Sequence, residues 1–76
     1  MKITYEKGYD PGEDKDWDWT EIKEERVDSI IELISKMKEF IDKYPNAVIQ
    51  GNCELEIGEF NDDCTEYTGI IFTTRD

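Results

Sequence analysis

Seventy-six residues carrying 20 Asp and Glu against 9 Lys and Arg, with no His and a formal net charge of −11, make one small domain whose self-repulsion opposes compaction. At this length only about 60% of the unfolded chain's surface can be buried, which leaves no room for a second domain. The charge speaks against direct contact with nucleic acid or an anionic membrane, since affinity for phosphates comes from Lys and Arg displacing counterions, and it favours a basic partner.

Low hydrophobicity with high charge can also mean disorder. Here 37% apolar residues, among them two Trp, four Tyr and three Phe, together with a clear helical period further along, indicate a folded domain. The opening MKITYEKGYD holds no apolar run long enough for a signal peptide, and no stretch of about 20 apolar residues follows, so the sequence predicts a soluble cytoplasmic protein.

Taken in order, Lys2 to Glu6 alternates Ile3 and Tyr5 against Lys2, Thr4 and Glu6, which predicts a short strand with one buried face. Asp10-Pro11-Gly12 is turn chemistry, Pro presetting φ and Gly accepting positive φ. The segment to Asp18 has the composition of a loop, with Asp10, Glu13, Asp14, Asp16 and Asp18 crowded together. Trp17 and Trp19 close it. Were Asp16 to Ile22 a strand, both indoles would share a face and pair with the first strand. The favoured reading is a helix starting at Thr20 as N-cap, with Glu21 and Glu24 in the first turn, although Lys23 and Arg26 then fall on the apolar stripe.

Val27 to Tyr44 is the segment with the clearest period. Val27, Ile30, Ile31, Ile34, Met37, Ile41 and Tyr44, widened by Leu33 and Phe40, form an amphipathic stripe. Glu25, Asp28, Glu32, Ser35, Glu39 and Asp42 fall on the opposite side as an acidic ridge. Tyr44-Pro45-Asn46 ends the helix. Ala47 to Ile57 alternates without a break and predicts one long half-buried strand, with a hairpin at Gly51-Asn52 as the alternative. Asn61-Asp62-Asp63 predicts the turn into a returning antiparallel strand, Thr65 to Thr74, whose Ile70-Ile71-Phe72 run leaves its register open by one residue. The expected fold is α+β: a mainly antiparallel sheet of three strands, or four if the tryptophans lie on one, with one long helix on one face (β-α-β-β) and Glu54 and Glu56 on the other.

Cys53 and Cys64, at opposite ends of that hairpin, would lie beyond the roughly 7 Å limit for bridging, so two free thiols are expected, Cys53 facing inward. Asp14, Asp16, Asp18 and Glu25 match the first, third, fifth and twelfth places of a calcium loop, but Trp19 stands where the sharp turn needs Gly. Two cysteines without His cannot build an ordinary zinc site. No metal or cofactor is expected. Catalysis has little to rest on: no His, no nucleophile motif, no glycine-rich phosphate loop.

Carboxylates three or four residues apart on a helix stand about 5–6 Å apart, on the scale of phosphate spacing, so a rigid row of them can occupy a groove built for nucleic acid. A solvated helix face laced with Glu32/Lys36 and Glu39/Lys43 pairs is the plain alternative. Acids crowd the first loop and the last hairpin as well. The expected activity is therefore inhibition of a basic nucleic-acid-handling protein, such as a nuclease, by charge mimicry. The expected contacts are Asp14, Asp16, Trp17 and Asp18 in the loop, Glu25, Asp28, Glu32, Glu39 and Asp42 on the helix, and Glu54 and Glu56 on the sheet. In gross character, though in no motif, the chain is similar to phage-encoded antagonists of host defence, including DNA-mimic inhibitors of restriction or CRISPR nucleases. The alternative is an acidic interaction or immunity-type module anchored by exposed aromatics.

Overall fold

The computed structural model describes residues 1–13, 15–51 and 54–73. Among them are five strands and one helix: β1 (Lys2–Tyr9), β2 (Asp18–Arg26), α1 (Ile30–Lys43), β3 (Val48–Ile49), β4 (Leu55–Phe60) and β5 (Glu66–Thr73). The strands form one antiparallel sheet in the order β2-β1-β5-β4-β3. The α+β class with a single helix is as expected, and the sheet is larger than the three or four strands anticipated.

Two corrections account for the extra strands. The segment from Thr20 to Arg26 is strand, not the start of the helix: β2 pairs with β1 along its length, with an irregularity opposite Tyr5/Glu6. Its Glu and Lys residues suit a helix by propensity, but pairing overrides that preference. As a strand it sets Trp19 opposite Gly8 and carries the Lys23 ammonium over the Tyr5 ring, 4.6 Å from its centroid. The helix instead starts where Ser29 caps it, the hydroxyl accepting from the Glu32 N–H at 3.2 Å. The second correction concerns Ala47 to Ile57. The chain reverses there, and β3 pairs antiparallel with β4 through Val48 opposite Gly58 and Ile49 opposite Ile57. The continuous parity that suggested a single strand survives the reversal, since Ile49, Leu55 and Ile57 all belong to the helix-facing side by register. Cys53 lies outside the described residues, while Cys64 is an exposed free thiol.

The core lies between the helix and one face of the sheet. Ile3, Ile57, Ile70 and Phe72 supply the sheet side, Phe40 the helix side, and Val27 closes the end. Leu33, Met37 and Tyr44 complete the buried seam at helical spacing. The stripe is therefore rotated from its expected position. Ile30, Ile34 and Ile41 lie on its exposed flank, and Ile31, 81% exposed, faces solvent. The Asn61–Asp63 turn joins β4 and β5 as expected. The Asn61 side-chain carbonyl accepts from the Thr65 and Glu66 N–H groups at 2.8 and 3.0 Å, and Cys64 takes positive φ, 56°.

Candidate functional site

Among the described residues no helix lies over the sheet's other face, yet Tyr67 on that face is only 2% exposed. The register explains how. Trp19, Gly8, Tyr67 and Phe60 stand opposite one another on β2, β1, β5 and β4, forming one row across four strands. Gly8 leaves a gap in that row, and Trp19 leans into it: a Cβ on Gly8 would stand 2.8 Å from the indole Cε3. The Tyr67 ring reclines along the sheet over Gly58 and Gly69, the next row, where a Cβ on Gly58 would overlap the phenol. Small residues there allow a large ring to lie flat, which is why two glycines occur in the middle of β-structure.

Three aromatic side chains roof this ring. Trp19 and Phe60 meet Tyr67 with ring centroids 5.6 and 4.9 Å away. Trp17, just before β2, stacks on Trp19 at 5.7 Å and 22° and meets Phe60 edge-on at 5.8 Å and 82°. These are favourable stacked and edge geometries. The roof is itself open to solvent, Trp19 being 55% and Phe60 43% exposed. Asp16, Trp17, Trp19 and Phe60 line an open concavity of about 560 Å³.

Beneath the aromatics is a polar patch. The Tyr67 hydroxyl donates to a Glu56 carboxylate oxygen at 2.6 Å. Burial, followed by that hydrogen bond and the Glu56 charge, pushes the Tyr67 phenol well above its ordinary value. The neighbouring Glu6 carboxyl is also raised, by burial first and then by the charge of Glu56.

The expected contact residues separate into groups. Asp16 and Trp17 belong to the aromatic concavity, while Asp18 begins β2 opposite Tyr9 and Asp14 lies outside the described residues. Glu25 is not on the helix. It sits on β2, facing α1, and binds the Lys23 and Lys36 ammonium groups, both at 3.1 Å, so its pKa is lowered mainly by those two hydrogen bonds, that from Lys36 first. Its charge holds an edge strand to the helix. Asp28 precedes the helix, and Glu32, Glu39 and Asp42 lie exposed along it, Glu39 with the Lys36 ammonium 3.9 Å away. Glu54 accepts from the Thr73 hydroxyl at 3.2 Å, and Glu56 is engaged by Tyr67. The acidic ridge is thus shorter than expected. The calcium spacing does not converge either, since Asp18 and Glu25 stand near opposite ends of an extended strand. Among the described residues no group of three or more His, Cys, Asp or Glu could hold a metal, and no helix is long and apolar enough to cross a membrane.

Trp19, Phe60, Tyr67 and the glycines beneath them were not among the expected contacts. The two-residue spacing of Trp17 and Trp19 was a signal for the same-face pair; the rest depends on strand register. Further exposed apolar residues are Ile30, Ile34 and Ile41 on the helix and Ile49 and Leu55 on the helix-facing side of the sheet. The chain matches no family among known protein families, no curated protein and no solved structure.

Proposed function

We propose that this protein is a non-catalytic, acidic interaction module that binds a basic protein partner through the aromatic cluster of Trp17, Trp19 and Phe60. The observation that carries this reading is the exposure of two rings, Trp19 at 55% and Phe60 at 43%, within an ordered cluster on the helix-free face of the sheet. Large rings held in a fixed geometry lose little freedom on binding and supply most of the affinity at interfaces. The net charge of −11 accelerates encounter with a basic surface and repels acidic competitors.

A second reading is inhibition of a nuclease or other nucleic-acid-binding protein by charge mimicry, in the manner of phage anti-defence proteins. It is favoured by the exposed acids Glu32, Glu39 and Asp42 on one rigid helix. Capture of lysate proteins on the immobilised domain, eluted by a salt gradient with and without competitor DNA, separates the two. A basic protein that DNA does not displace and that Trp17→Ala fails to retain supports the aromatic module. A basic protein released by DNA and lost on combined Glu32→Lys and Glu39→Lys substitution supports mimicry.

A further inference from the structure

We infer that the concavity formed by Asp16, Trp17, Trp19 and Phe60 takes an arginine side chain of the basic partner. This rests on the aromatic-module reading above and names the group that the site recognises. The lining combines three aromatic residues with the acidic Asp16, and the two call for different features in a ligand. A purely apolar group would stack on the rings but leave Asp16 to lose water without a partner, which is costly. An anion would meet Asp16 and the field of a chain with net charge −11. A cation satisfies both walls of the site, attracted by the ring faces and paired by the carboxylate.

Among protein cations the geometry selects guanidinium over ammonium. The Trp17 and Trp19 rings are stacked within 22° of parallel, while Phe60 stands edge-on to Trp17 at 82°. A planar guanidinium can lie flat on an indole face and still direct its N–H fork along its own plane to a neighbouring carboxylate. An ammonium is a compact, strongly hydrated point charge that gains the attraction without the stacking. Among the described residues, the lysines over rings lie elsewhere, Lys23 over Tyr5 and Lys43 over Tyr44.

Both tryptophans of the chain line this site, so intrinsic fluorescence reads it directly. The full-length protein is titrated with a blocked Gly-Arg-Gly-Arg-Gly peptide and with its lysine counterpart of equal charge, at low and at physiological salt. The arginine peptide is expected to give a saturable change in tryptophan emission and to bind at least about threefold more tightly than the lysine peptide. Trp17→Ala and Phe60→Ala should each weaken it by about fivefold or more, and Asp16→Asn by about two- to fivefold. Trp17→Phe, which keeps a ring, should recover part of the loss, and far-ultraviolet circular dichroism checks that each variant folds. Equal affinity for the two peptides, or affinity unchanged by Trp17→Ala and Phe60→Ala, overturns the inference. Equal affinities that still depend on Trp17 remove arginine selection and leave the aromatic module standing. Arginine selection without any captured partner would remove the module reading instead.

Discussion

The Tyr67 hydroxyl and the Glu56 carboxylate, 2.6 Å apart, tie β5 to β4 beneath the exposed aromatic roof. The bond anchors the ring on which Trp19 and Phe60 rest, while the packing of the rings themselves shapes the binding surface. Tyr67→Phe keeps the ring and removes the donor. Loss of a hydrogen bond to a charged, half-buried acceptor should cost about 1.5–3 kcal/mol, measured by urea unfolding, with the peptide affinity of the folded protein little changed.

The same platform needs the absence of a side chain at Gly58, where a Cβ would overlap the Tyr67 phenol. Gly58→Ala should force the ring from the sheet and cost about 1–3 kcal/mol, the usual penalty of overpacking. Near-ultraviolet circular dichroism should lose the aromatic signal in the folded variant, because the rings above Tyr67 lose their fixed arrangement.

Two carboxylates should act on stability with opposite signs. Glu6 is raised by burial and by Glu56, so its favourable contribution is present below the ordinary carboxyl range and lost as pH rises through the folded value. Glu6→Gln should therefore raise the melting temperature at pH 7 and change little at pH 3. Glu25 is lowered by Lys36 and Lys23, so its contribution is present above the ordinary range and lost as pH falls through the folded value. Glu25→Gln should lower the melting temperature at pH 7, with the difference closing in acid. Melting curves of both variants at the two pH values check the pair, and the same sign for both would refute it.

How far the fold could be read from the sequence follows from how local each signal is. The first strand and the Asn61 turn are written in a few adjacent residues; the turn forms as read, while the strand runs on past Glu6 to Tyr9 because pairing with β2 and β5 carries it through Lys7 and Gly8. The helix start was not read, although Ser29 and Glu32 carry the spacing of a capping pair, because Thr20 followed by a Glu- and Lys-rich run offers an equally good local start. Only the pairing of β2 with β1, between residues distant in sequence, decides against it. The helix seam was misplaced by rotation, since apolar residues cover so much of its circumference that the period alone does not fix which side is buried. Asp16 and Trp17 could be picked out as an aromatic among acids. Phe60 and the glycines could not, because the row Trp19, Gly8, Tyr67, Phe60 exists only once four strands are in register.

The acids on the helix and the rings on the sheet give separable responses to substitution. Combined Glu32→Lys and Glu39→Lys reverses charge at exposed positions and should mainly slow association and flatten its salt dependence. Trp17→Ala should mainly speed dissociation, since it removes contact area rather than long-range attraction. Surface-plasmon kinetics with a captured basic partner distinguish these effects.

The most direct test of the central claim is to immobilise wild type, Trp17→Ala and the Glu32→Lys/Glu39→Lys double variant side by side and compare the basic proteins each retains from one lysate at physiological salt. A basic protein held by wild type and by the charge-reversed bait and lost from Trp17→Ala is the expected result. Retention by Trp17→Ala together with loss from the charge-reversed bait would contradict it, and would move the binding surface from the aromatic cluster to the helix.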